Sequence, residues 1–375
     1  MNVLITGGAG FIGTYLTRQL LQFGHEVTVL DNFSPQIHAG KTTLAPDLQG
    51  HVRLVVGDVA DTRVLGPALE TSESVIHLAA ETGTGQSMYE VSRYERTNLG
   101  GTALIYELLT KSRARKVERI VVASSRAIYG EGAYRCEEHG LVYPLPRTSN
   151  EKQAGHFDLI CPICSGACIM APTPETAPLQ PTSFYGLTKQ VQEQTVLLFG
   201  KVLGIPSFAL RYQNVYGPGQ SLHNPYTGIL AIFSNLARAG NLIQIFEDGL
   251  ESRDFVYVED VVRATVACLS PNVMGHEAIN VGANEKVSVL TVANGINAFF
   301  GNRSEIKVTG AFREGDIRHG MADLTKARAL LGYEPQCSFS DGLRSFLSWA
   351  MTNEVPENHY EQSLSEMKQR GLLRD

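Results

Sequence analysis

The chain has 375 residues, 43% of them apolar, and a formal charge of −6, which is enough apolar sequence for one large domain or two coupled ones with a full core. The acidic balance excludes the basic surface that nucleic acid or an anionic membrane would need, and no apolar run approaches the ~20 residues of a membrane span. Six cysteines are too few to staple a chain this long, so they read as reduced thiols of a cytoplasmic enzyme, and Met1 leads straight into a strand pattern instead of a signal peptide.

Short β-branched runs at 3–6, 26–30, 52–56, 74–78 and 119–123 are almost continuously apolar, as expected of parallel strands covered on both faces. Between the first two, residues 14–23 place Leu16, Leu20 and Phe23 on one helical face, and Gly24 ends the helix. This alternation predicts an α/β fold with a doubly wound parallel sheet. One segment, 131–181, breaks the rhythm. It is rich in proline and glycine, carries four of the six cysteines and shows no period, so it reads as an inserted loop with a function or a staple. A helix beginning near Ser183 and a strand at 207–211 resume the pattern. After Tyr216 the order loosens, with helices expected at 258–269 and 290–300. The expected organisation is a first domain over 1–215 and a smaller α/β substrate lobe over 216–375, with parts near 254–283 returning to the first domain.

Gly7, Gly10 and Gly13 sit between the first strand and first helix. They permit a tight turn, close approach to a pyrophosphate and close packing of helix on sheet, while Phe11 and Ile12 open a helix whose free N–H groups favour phosphate. Asp31 ends the second strand eighteen residues after Gly13, where a carboxylate can accept from the adenosine ribose. Asn32-Phe33-Ser34 follow, with no arginine for a 2′-phosphate, which favours NAD over NADP. Asp58 and Val59 after the third strand either clasp the adenine or cap the strand end. Leu78, Ala79 and Ala80 end the fourth strand with small residues that let a cofactor lie against backbone, and His77 reads as a satisfied core histidine.

Tyr185 and Lys189, four residues apart, share a helical face. A neighbouring ammonium favours phenolate and makes the phenol a usable base. Ser125, paired with Ser124 at the end of the fifth strand, can bond the reacting oxygen; the lesser alternative is that both serines merely cap the strand.

These motifs, with Ser125-x-x-x-Tyr129-Gly130, Tyr185-x-x-x-Lys189 and Arg253-Asp254-Phe255-Val256, resemble the extended short-chain dehydrogenase/reductases across nearly the whole chain. Within that superfamily the chain is similar to the NAD-dependent nucleotide-sugar 4-epimerases. The resemblance implies a Rossmann-type NAD domain, catalytic roles for Ser125, Tyr185 and Lys189, and cofactor contacts from Asn98 and Gln213; an aromatic residue is usual at position 213. It also implies substrate contacts from Thr82, Arg126, Asn214, Arg253, Arg313 and Asp316, where forked arginine donors suit a diphosphate. Sister dehydratases and decarboxylases carry an acid two places after the catalytic Ser/Thr, to move protons in a second step. Arg126 and Ala127 stand there instead, which favours simple epimerisation. A finer resemblance, through 80–88, 125–130, 224–228, 315–319 and the cysteine-bearing insertion, is to bacterial dTDP-L-rhamnose 4-epimerases; UDP-glucose/UDP-galactose epimerisation is the rival. An NAD-binding regulatory or scaffold protein without turnover is the alternative of another class. The superfamily further implies a homodimer through helices near 98–111 and 184–199, whose stripes include Leu104, Leu108, Val191 and Leu198.

The insertion adds Cys136-x-x-His139 and Cys161-x-x-Cys164. Two such knuckles can place three thiolates and an imidazole around one Zn²⁺, closed to water and therefore structural. Cys168 is an alternative to His139 as fourth ligand, and reduced cysteines packed under a loop are the alternative to metal.

Overall fold

The computed structural model describes residues 1–112, 115–224, 228–354 and 360–374. Seven parallel strands form its central sheet: β1 (Asn2–Thr6), β2 (Glu26–Asp31), β3 (Arg53–Val56), β4 (Ser74–His77), β5 (Arg119–Ser125), β6 (Ser207–Tyr212) and β7 (His276–Val281). Their spatial order is β7-β6-β5-β4-β1-β2-β3. Alternate side chains feed two layers. Val3 and Ile5 pack with Leu16 and Leu20 of helix Phe11–Gln22 and with Val261 of helix Val258–Ala267. Leu4 faces the opposite layer, with Leu65, Ile105 and Val196 of helices Thr62–Glu70, Gly101–Lys111 and Phe184–Leu203. Burial on both faces is why the strand sequences are so uniformly apolar. β1 pairs with β2 on one side and β4 on the other. The strand order reverses at this point, which opens a crevice at the carboxyl ends of the strands.

A second core gathers Phe233, Leu236, Phe255, Val292 and Phe346. It joins helices Ile229–Ala239, Val289–Phe299 and Phe339–Met351 to strand Ser252–Tyr257, which lies between Asn214–Tyr216 and Lys286–Ser288. Before helix Gly101–Lys111 the chain makes a π-helical turn, Glu95–Gly100, a feature frequent at functional sites, and Asn98 within it is fully buried.

The insertion is ordered, although its sequence shows no period. Its strands Tyr134–Cys136, Gly140–Val142 and Cys168–Met170 form a small antiparallel sheet, and three-residue strands are too short to register as alternation. Helix Ser149–Gln153 begins with a reciprocal capping box between Thr148 and Glu151. The local core is small: Tyr134, Cys136, Val142, Leu159 and Cys161. No helix among the described residues is long and apolar enough to cross a membrane. Pro225, Tyr226 and Thr227, part of the motif at 224–228, lie outside the described residues.

Candidate active site

A cavity of about 330 Å³ occupies the crevice. Gly7, Gly10, Phe11, Ile12 and Gly13 line it from the first turn, Asp31 and Asn32 from the end of β2, Asp58 and Val59 from beyond β3, and Leu78, Ala79, Ala80 and Thr82 from beyond β4. Ser125, Tyr185, Lys189 and Gln213 complete the wall. A methyl group on Gly13 would lie 2.5 Å from Gly8 Cα, and one on Gly7 would lie 2.7 Å from the Ala79 nitrogen. Only glycine lets the turn press this closely on β4 and its own helix. Gly10 begins the helix without a side-chain cap, so the first-turn N–H groups remain available to phosphate oxygens. Asp31 accepts from the Ala9 and Phe33 amides at 3.0 and 2.9 Å, and His38 Nε2 stands 3.2 Å from it. Asp58 both lines the cavity and caps its strand end, accepting from the Ala60 amide at 2.9 Å. Gln213 Oε1 is buried without a partner. Free helix N–H groups, a glycine cradle and this orphaned acceptor fit the NAD inferred from sequence.

Ser183 caps the helix that carries the Tyr/Lys pair, accepting from the Gly186 amide at 3.1 Å, and the Tyr185 amide donates to Ser87 at 2.9 Å. These bonds fix the helix start against the segment after β4. Burial pushes the Tyr185 phenol above its ordinary range, while the Ser125 hydroxyl and the Arg126 charge pull it back. Burial also lowers Lys189 to about 7. Both adjacent serines line the cavity, but their hydroxyls separate in role: Ser124 donates to Glu193 at 2.7 Å, whereas the Ser125 hydroxyl is in bonding reach of the Tyr185 phenol.

Asn98 does not line the cavity. Its amide holds Glu81 through bonds of 2.8 and 3.1 Å and reaches Thr188 at 3.0 Å, so it ties the end of β4 to the Tyr/Lys helix from behind. His77 is the satisfied core histidine expected, with Thr6 at 2.6 Å and Thr102 at 3.0 Å.

Arg313 and Asp316 line a second groove with Thr84, Gly85 and Gln86. Burial tends to raise the Asp316 carboxyl, but Arg253, Arg313, Arg126 and Arg147 together hold it below the usual range. Arg313 lies 4.7 Å over the Phe246 ring with a buried, unpartnered Nε. Arg126, Asn214 and Arg253 line neither of these two cavities. Arg126 is close enough to lower Tyr185, and Asn214 Oδ1 is buried without a partner. Arg253 is engaged by backbone. It donates to the Ser252, Ile317 and Arg318 carbonyls at 2.9, 2.9 and 3.2 Å and stands 3.5 Å from Asp316, so it shapes that loop.

In the insertion, ligand atoms of Cys136, His139, Cys161 and Cys164 all lie within 4.8 Å of one another. His139 Nδ1 is 3.6 Å from Cys136 Sγ and 3.7 Å from Cys161 Sγ. Cys168 stands outside this group, its thiol directed at the Gly166 carbonyl.

Several site residues escaped sequence reasoning. Gln192 sits one turn beyond Lys189, a spacing that could have marked it. His38 and Arg147 gave no local signal.

The architecture and the cavity define an NAD-binding enzyme of the doubly wound class. The chain matches the NAD dependent epimerase/dehydratase family over residues 3–151 and 163–282, and it belongs to that family; the gap falls inside the insertion. It is 40% identical over 350 residues to a dTDP-L-rhamnose 4-epimerase of Burkholderia thailandensis, covering 93% of this chain and 94% of that one. Among solved structures it is similar to a UDP-glucose 4-epimerase of Thermotoga maritima with UDP-glucose, at 29% identity and a TM-score of 0.74, over 94% of this chain and 99% of that one. It is likewise similar to a UDP-glucuronic acid 4-epimerase of Bacillus cereus with UDP-glucuronic acid and NAD, at 25% identity and a TM-score of 0.74, over 94% and 99% of the two chains.

Proposed function

We propose that the protein is an NAD-dependent nucleotide-sugar 4-epimerase acting on dTDP-L-rhamnose or a related dTDP-hexose. The observation that carries this reading is that Tyr185, Ser125 and Lys189 face the cavity while every carboxylate lining it is already engaged. Asp31 is held by two amides, Asp58 by the Ala60 amide, and Glu81 by Arg93 at 2.7 Å. Epimerisation needs no second acid or base, whereas loss of water does. NAD, when bound, supplies a reversible hydride acceptor for sugar C4. Tyr185 takes the proton of the C4 hydroxyl, Ser125 bonds the same oxygen, and Lys189 favours the phenolate. Once the sugar has turned, Tyr185 returns the proton. Asp31 receives the adenosine ribose, and the free helix N–H groups receive the pyrophosphate. Arg313, Asp316, Asn214 and Arg253 suit the diphosphate and nucleoside of the substrate, with Arg126, whose charge reaches Tyr185, nearer the reacting sugar.

The UDP-glucose/UDP-galactose reaction is the second reading, favoured by the Thermotoga likeness. Incubation with dTDP-L-rhamnose and UDP-glucose, followed by NMR at C4, separates the two. Product lacking water or carbon dioxide overturns the epimerase reading, and absence of turnover on any nucleotide sugar supports the scaffold alternative.

The same reading includes a cytoplasmic enzyme, consistent with six unpaired cysteines, and a homodimer. Leu187, Leu198 and Val202 are exposed on the helix Phe184–Leu203, outside its core-facing side. It also includes one structural Zn²⁺. Three thiols and an imidazole at mutual ligand distance are the donor set of a closed zinc site.

A further inference from the structure

The four zinc-type ligands bracket a loop, and what the loop touches is informative. His139 and Cys161 stand at its two ends, so one ion bound to the cluster closes the chain between them. Within it, Arg147 donates to the Asp316 carbonyl at 3.1 Å, and Lys152 donates to the Arg313 carbonyl at 3.1 Å. Ser149 and Lys152 hold the Glu314 carboxylate at 2.6 and 3.0 Å. Just before the first knuckle, Glu131 accepts from the Arg318 amide at 2.8 Å. Arg147 also bonds Glu247 at 2.7 Å, and both side chains are buried. The backbone that presents Arg313 and Asp316 to the groove is therefore gripped by residues of the inserted loop, together with Leu373, which pairs with Arg313, Thr182, which donates to the Gly315 carbonyl, and Arg253, which donates to the Ile317 carbonyl.

We infer that the metal centre sets the nucleotide end of the substrate site, by fixing the loop whose Arg147 and Lys152 hold the carbonyls of Asp316 and Arg313. The physical reason is entropic. Arg147 makes four hydrogen bonds, to Glu131, Phe157, Glu247 and Asp316, and such a network forms only if both ends of its loop are already placed. Short antiparallel pairing already brings these ends together, and the ion reinforces a local core of only five buried side chains, of which two are the ligands Cys136 and Cys161. Closing the loop removes conformational freedom that would otherwise oppose every one of those bonds. The cofactor wall is independent of this device: the glycine turn, Asp31 and the Tyr/Lys helix take their bonds from the central sheet and its own helices.

The inference rests on the zinc and nucleotide-sugar readings above, and the experiment separates their failures. Wild type, Cys161→Ser/Cys164→Ser and Arg147→Lys are compared for zinc content, for hydrogen exchange of residues 312–321, and for dTDP, UDP and NAD affinity by calorimetry. Wild type should carry about one zinc per chain. The double mutant should lose the zinc, exchange residues 312–321 about tenfold faster and bind dTDP or UDP about tenfold more weakly, with NAD affinity within about twofold. Arg147→Lys should keep the zinc and still weaken the nucleotide about tenfold, because a lysine cannot make the forked contacts. Zinc-free wild type overturns the metal reading and this inference with it. Wild type that binds neither dTDP nor UDP overturns the substrate reading alone, and exchange then decides the coupling. Unchanged exchange and nucleotide affinity after zinc loss overturn the coupling. If the double mutant loses NAD as well, Arg147→Lys decides: weaker nucleotide with zinc retained supports the coupling, and unchanged nucleotide overturns it.

Discussion

Lys189 donates to Gln192 Oε1 at 2.8 Å, one helical turn further along, and to the Ala123 carbonyl at 2.9 Å. Two of its three donors are thus fixed before any ligand arrives, and the third is left for the cavity. Gln192 is itself held, donating to Thr102 at 2.7 Å and to the Asn98 carbonyl at 3.3 Å. It is a positioning residue. Gln192→Leu should lower both NAD affinity and turnover about tenfold, the weight of one hydrogen bond to a charged group. Gln192→Glu, which restores an acceptor for the ammonium, should recover most of the NAD affinity. Calorimetry and initial rates check this, and a leucine variant with unchanged NAD affinity would refute the role.

Tyr185→Phe removes only the oxygen that takes the C4 proton. Turnover should fall roughly 10³-fold, within the range of general acid–base catalysis. NAD binding should survive within about twofold, because the helix start is held by the Tyr185 amide and the Ser183 cap rather than by the phenol. Near-normal rates would assign the proton to another group.

Asp31 has two functions, and both bear on cofactor choice. It supports the turn through the Ala9 and Phe33 amides, and its carboxylate repels a 2′-phosphate. Asp31→Ala should weaken NAD at least tenfold while weakening NADP much less, so the preference narrows. A wild type that already prefers NADP would contradict the assignment.

The cofactor half of the site was legible because its signals are local. Glycines at 7, 10 and 13, a carboxylate at the end of β2, and a Tyr/Lys pair at one helical spacing each encode their own geometry. The substrate half was only partly legible, since its geometry is made between distant segments. Arg147 meets the Asp316 carbonyl across 169 positions, and no periodicity records such a contact. Arg253 adds the same lesson: its residue type suits phosphate, but its bonds to three backbone carbonyls, two of them more than sixty positions away, have no local sequence signal. The insertion was invisible as strands because each is three residues long, while its metal-type spacing was readable.

The outer stripe of helix Phe184–Leu203 tests the proposed dimer. Val196 faces the core, whereas Leu198 is 59% exposed and Val202 67%. Leu198→Asp should leave the monomer fold intact and shift the protein from dimer to monomer at micromolar concentration, as charge placed at the centre of an apolar contact does. Light scattering reads the mass. A monomeric wild type would dispose of the dimer itself.

His77 predicts a pH dependence whose sign follows from its bonds. Thr102 donates its hydroxyl to the Asn98 carbonyl at 2.7 Å, so it can only accept from His77 Nε2, and Nδ1 must then accept from Thr6. The neutral imidazole satisfies both partners, and a second ring proton would point at an oxygen that is already donating. Burial, reinforced by the Lys189 charge, pushes His77 down to about 3. The unfolded chain binds this proton near 6.5 and the folded one does not, so the unfolded state carries more protons between those values and stability rises with pH across them. The stabilisation is complete above 6.5 and is lost as the pH falls toward 3. Between pH 6.5 and 5.0 the loss from His77 alone amounts to about 2 kcal/mol. Urea unfolding at pH 7.5 and 5.0 should therefore show a smaller pH difference in His77→Asn than in wild type, by about that amount. The imidazole of His77 should show no titration by NMR above pH 5, and a midpoint near 6.5 would refute the assignment of a neutral, doubly bonded ring.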